Sequence, residues 1–180
     1  MLVLRIGHGE SAQGSIEPYR RWAFLAHPVP LNETHMKTAL WNCMAVLIGV
    51  LLGSIVNMAL VVVGPHLIPP PAGIEMSDAK SLAAGIHLLA PRNFLFPFLA
   101  HAVGTLAGAW ATYLVAPSRN SGIPYAIGVI FLAGGIAAAF LIPAPPWFSA
   151  LDVLVAYLPM AWLGVRLGRS LRSSRAAQGS

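Results

Sequence analysis

The chain has 180 residues, 57% of them hydrophobic and only 9% charged, with a formal net charge of +5 and a mean hydropathy of +0.70. A soluble domain carries about 25% charged residues, so charges this sparse cannot cover a water-soluble globule, and the chain belongs among membrane proteins. The basic residues form no face or motif that would hold phosphates, so nucleic acid is not an expected partner. The single cysteine, Cys43, lies in an apolar run; it excludes a disulfide framework and reads as a small buried hydrophobe.

Residues 1–35 contain no sustained apolar core and no small-residue cleavage site, so they do not read as a secretory signal. Their three glutamates, Glu10, Glu17 and Glu33, argue against a transit peptide. A second plausible start lies at Met36 in MKTALWNCMAVLIG. The expectation is a disordered cytoplasmic extension or an over-called start codon, followed by one membrane domain over 36–168.

Crossing the hydrocarbon core takes about 20 apolar residues. Four segments qualify: 39–63, containing LWNCMAVLIGVLLGSIVNMALVVV; 94–116; 125–142, short but uncharged; and 148–165. Prolines bound them at IPPP (68–71), Pro117, Pro124 and IPAPP (142–146), each removing a helix donor and disfavouring helix before it. Aromatic residues gather at the borders, as in interfacial belts. The predicted fold is an all-α membrane protein, a bundle of four transmembrane helices. In the 64–93 connection, Ser77 is a candidate N-cap with Asp78 in the first turn. Leu82, Ile86 and Leu89 follow on one face, predicting a short amphipathic helix over 78–89 on the outer membrane surface. Residues 169–180 read as a basic cytoplasmic tail.

Nine of the eleven Lys and Arg fall on one side: Arg5, Arg20, Arg21, Lys37, Arg119, Arg166, Arg169, Arg172 and Arg175. Lys80 and Arg92 fall on the other. The positive-inside rule puts both termini in the cytoplasm, in the bacterial inner membrane.

Lipid gives helices no hydrophobic reason to associate, so small residues that let backbones approach must do so. Gly49, Gly53 and Asn57 recur every four residues in the first span, and Ala100, Gly104, Gly108 and Thr112 in the second. Gly128, Gly135 and Ala139 form a stripe in the third, with Gly134 and Ala138 beside it.

Three polar residues lie inside the outer half of the spans: Asn57, His101 and Asp152. Counted from the span ends, their depths are roughly 9, 10 and 6 Å, one layer. His101 shares a face with Gly104, Thr105 and Gly108, and Asn57 with Gly53 and Gly49, so both should point into the bundle. Ionisable groups at this depth mark ligand sites or proton relays by default. The sharp expectation is a hydrogen-bonded Asn57–His101–Asp152 cluster. The bland one is inter-helix glue, with Asp152 capping the fourth helix. A metal is not expected: His66 and His87 are weak candidates beside His101 and Asp152, because no pair has ligand-type spacing. No cofactor motif occurs, and no P-loop, dinucleotide fingerprint, nucleophile elbow or HExxH, so an enzyme of soluble type is not expected. Pro159 should kink the fourth span. A faint echo between IGVLLGS…HLIPPP and IGVIFLAGG…FLIPAPP is compatible with a duplicated helix pair.

From Met36 onward, GSIVNMAL, LIPPPAG, HLLAPRNFLFPFLAHAVGTLAGA, FLAGGIAAAFLIPAPPWF and LDVLVAYLPMAWLG resemble a group of small bacterial inner-membrane proteins of unassigned function. The resemblance covers residues 36–168 and implies four spans, without a reaction or a ligand. The leading expectation is a non-enzymatic structural or accessory membrane component. Its partners would be the lipid bilayer and other membrane subunits or further copies of itself. The alternative is a small proton-linked transporter using Asn57, His101 and Asp152. A membrane enzyme or quinone-type ligand site at the same layer comes third.

Overall fold

The structure is a computed structural model that describes residues 33–118 and 122–178, with side chains described no further than Ser174. Of the expected extension (1–35), residues 1–32 lie outside the described residues, as does Arg119, and Glu33–His35 are helical. The chain divides into two units, 1–36 and 37–180. In the first, the described residues are one opening helical turn; everything below concerns the second.

Every regular element among the described residues is helical. In chain order these are α1 (Glu33–Leu67), α2 (Ala79–Gly85), α3 (Leu95–Val115), α4 (Tyr125–Leu141), α5 (Pro146–Val155) and α6 (Leu158–Gln178). Short 3₁₀ turns at Ile86–Leu88 and Pro91–Phe94 join α2 to α3. Three stretches are long and apolar enough to cross a bilayer: Glu33–Leu67, Pro91–Val115 and Pro146–Ser174. α4 is equally apolar but only 17 residues long.

α1 passes the boundary expected at Val63 and runs through Pro65. Proline keeps a helical φ, and here its missing donor and its ring fall in the last turn of the helix, where the Ile68 N–H still closes on the Gly64 carbonyl at 2.8 Å. The connecting helix is shorter than the 78–89 expectation. Its N-cap is Asp78, not Ser77: the Asp78 carboxylate accepts the Ser81 N–H at 2.7 Å. The Ser77 hydroxyl instead donates to Glu75 at 3.0 Å. Upstream, the chain turns at Gly73, whose φ of +87° is a conformation other residues rarely adopt.

The fourth apolar stretch is not one helix. α5 stops at Val155, Ala156 and Tyr157 form a turn, and α6 begins at Leu158. Pro159 supplies the reason: it has no N–H for the Val155 carbonyl and its ring crowds that residue. The expected tail is helix as well, since α6 continues to Gln178. Its far end is held by Arg172, which donates to the Leu114 carbonyl at 2.7 Å and lies 4.9 Å over the Tyr113 ring. A cation at the C-terminal carbonyls of α3 suits that helix's dipole.

α3 is the central helix, packed against α1, α4 and α6. Against α1 it presents a glycine ladder. A β-carbon added at Gly108 would lie 2.7 Å from the Gly49 carbonyl oxygen, and one at Gly104 would lie 2.8 Å from that of Gly53. Thr112 ties the seam by sharing its hydroxyl between Gly108 (2.9 Å) and Ala45 across the interface (3.3 Å). Gly128 meets Ala161 of α6, and Gly135 meets Tyr157. The rest of α1 faces outward: Leu40, Leu47, Leu51, Ile55 and Met58 are all more than half exposed. Cys43 is exposed too, which corrects the buried reading. α1 touches the bundle along one stripe, and Cys43 sits about 200° from Ala45 on the helix.

Candidate functional site

The connection between α1 and α3 roofs one end of the bundle. Asn93 fastens it there: buried, it accepts the Ala90 N–H at 3.1 Å and donates to the Pro69 carbonyl at 3.3 Å. Phe94 and Phe148 pack at 4.9 Å, with Trp147 edge-on to both, and with Ile86 they form an apolar cluster under the roof. Beneath lies a cavity of about 200 Å³. α1 contributes Val61, Gly64 and Pro65, and the connection contributes Met76, Leu82, Ile86 and Leu89. The turn before α3 adds Phe94, and α3 adds Phe96, Pro97 and His101; α4 adds Gly135, Ala138 and Ala139; α5 adds Phe148, Ser149 and Asp152. Among the described residues, Asp152 is the only charged one in the lining, which holds no Lys or Arg.

His101 and Asp152 meet. The imidazole Nδ1 lies 2.9 Å from both carboxylate oxygens. The Tyr157 hydroxyl, whose side chain is fully buried, donates to Asp152 Oδ2 at 2.8 Å and lies 3.1 Å from His101 Nδ1. An ionised carboxylate only accepts, so with Asp152 ionised and the imidazole neutral the ring proton belongs on Nδ1. Nε2 then carries the lone pair, and it has no protein partner among the described residues. The His101 side chain is 28% exposed against 8% for Asp152. The carboxylate is thus shielded behind the ring it orients.

Asn57 is elsewhere. It lies on the α1–α3 seam, where its Cβ would be 3.1 Å from a β-carbon on Gly104. It makes no hydrogen bond to His101 or Asp152 and does not line the cavity. Asp152 does not cap α5: it sits in the second turn, with its oxygens turned to His101 and Tyr157. Of the weak metal candidates, His66 and His87 are both exposed and neither faces the cavity. Among the described residues, no three His, Cys, Asp or Glu come together as a metal site would require.

Tyr157 is the member that sequence reasoning missed. In an unbroken helix, residues five apart point about 140° apart, so Asp152 and Tyr157 do not read as neighbours. The turn at 156–157 closes that angle, and Pro159 two residues on was its signal. Thr105, next to the cluster, is spent locally, donating to the His101 carbonyl at 2.7 Å.

No protein family, curated protein or solved structure matches the chain.

Proposed function

We propose that the protein is a non-enzymatic, accessory component of the bacterial inner membrane that holds a small, lipid-soluble molecule in the cavity beside His101. In this reading α1, α3, α4 and the α5–α6 pair are four spans, with both termini cytoplasmic. The nine-to-two division of Lys and Arg supports that orientation. The count of four takes α4 as a span, since its 17 residues cover about 26 Å of a core near 30 Å. The connection with α2 then lies on the outer surface, and the cavity in the outer leaflet.

One observation carries the reading: an apolar cavity walled by four helices, with a single oriented imidazole at its polar spot. Binding sites are typically apolar hollows with a few placed polar groups. The test is equilibrium binding of octylbenzene to the protein in lipid nanodiscs. Saturable binding that Ala138→Phe abolishes is expected; binding no greater than to empty discs would end the proposal.

The alternative, a proton-linked transporter, draws on the same pair, since imidazole and carboxylate can share and release a proton. A route onward along α3 would pass Thr105 and Thr112. Both hydroxyls are turned back to backbone carbonyls, which weighs against a continuous polar path. Proton flux in liposomes above that of His101→Ala would favour this alternative.

A further inference from the structure

We infer that the cavity selects a neutral molecule with an apolar skeleton and one hydroxyl at its head, which donates a hydrogen bond to His101 Nε2. The inference rests on the cavity reading above and adds the chemical class of the occupant. With Asp152 ionised, the carboxylate and Tyr157 hold the Nδ1 side of the ring, so what a neutral ring offers the cavity is an acceptor. Four further observations narrow the head group. Among the described residues the lining has no Lys or Arg, and its one charge is a carboxylate, so an anionic head would meet like charge and no counter-ion. An ammonium head would have to shed its water for a carboxylate that is 8% exposed, already engaged twice and behind the imidazole. Asn93 has its oxygen and one of its two amide hydrogens committed to Ala90 and Pro69, which leaves it a weaker rival to His101 as the acceptor for a hydroxyl donor. The remaining wall, from Val61 to Val153, is aliphatic or aromatic apart from Ser149.

A hydroxyl on an apolar frame could be aromatic or aliphatic, and matched probes separate the two. Binding to nanodiscs is measured for 4-octylphenol, 1-dodecanol, the methyl ether of each, 4-octylbenzoate and 4-octylbenzylamine. The expected result is that at least one hydroxyl compound binds about tenfold tighter than its own ether, the worth of one well-made hydrogen bond. Which one does so identifies the source. In His101→Phe the preference should fall to about one while the ethers still bind. Should that variant fold poorly, the wild-type series decides alone. Ethers binding as well as their hydroxyl parents would overturn the donor inference and leave the cavity reading standing. Tightest binding of the benzoate or the amine would overturn it likewise. If no probe binds, both fall.

Discussion

The two ends of α3 use the same apolar alphabet for opposite purposes. From Gly104 to Thr112 the helix shows small side chains to α1, and backbones approach until no β-carbon fits between them. From Phe96 to His101 it shows large rings and an imidazole to its surroundings, and a cavity remains. Small residues close space because the partner backbone can come in. Bulky residues under a proline-rich roof hold space open because their neighbours are stiff. The helices around α3 are therefore closely packed at one end and hollow at the other, and the polar cluster sits where the two regimes meet.

Breaking the closed end should have the largest effect. Gly108→Ile places a branched side chain where a first carbon alone would lie 2.7 Å from the Gly49 carbonyl and 3.0 Å from Ile127. Backbone cannot yield as a side-chain tip does, so the loss should reach about 3 kcal/mol, at the upper end for overpacking. Thermal unfolding in detergent reads it. A loss below about 1 kcal/mol would mean that α1 is not held by this ladder.

The junction between the regimes is probed by neighbouring glycines. A β-carbon at Gly135 would collide with the Tyr157 hydroxyl, whereas one at Gly134 meets nothing within 4 Å. Gly135→Ala should displace Tyr157 from Asp152 and cost about 2 kcal/mol, a strained contact plus a lost charge-assisted hydrogen bond. Gly134→Ala should stay within about 0.5 kcal/mol, as for substitutions that touch nothing. Equal effects of the two would refute this account of Tyr157.

Inside the cluster, a double-mutant cycle on His101→Phe and Asp152→Leu isolates the pair. Hydrogen bonds between helices in membranes average about 0.6 kcal/mol and reach about 1.7. Here one nitrogen faces two oxygens at 2.9 Å, so the coupling energy should be about 1.5 kcal/mol. A coupling near zero would reduce the two residues to independent fillers.

How much of this the sequence discloses depends on which geometric quantity is needed. Periodicity along one helix is local, so the face shared by Gly104, Gly108 and His101 can be read directly. The glycines facing it on α1 follow from the same four-residue repeat. Depth is nearly as accessible: counting from span ends put His101 and Asp152 in one layer, and they touch. Angle about the bundle axis is not local. The interruption at Ala156–Tyr157 swings Tyr157 round to Asp152, and counting residues along an assumed straight helix loses that swing. The same blindness makes Arg172 read as one more charge in a tail, whereas it closes the end of α3 at Leu114.

Asn57 is the sharpest case of that difference between depth and angle, and it carries the smallest predicted effect. It shares the layer of His101, yet lies over Gly104 on the seam side of α3. It makes no hydrogen bond to either member of the pair. Asn57→Ala removes a half-buried amide from the closed end and touches nothing in the hollow one. Stability should change by about 0.5 kcal/mol, the scale for a site outside the core and outside any polar network. The preference for hydroxyl over ether probes should not change at all. Stability and preference are measured on the same preparation, so the result is unambiguous. If the preference fell while stability held, Asn57 would belong to the binding cluster after all, and the boundary between the closed and hollow ends of α3 would have to move one turn toward its middle.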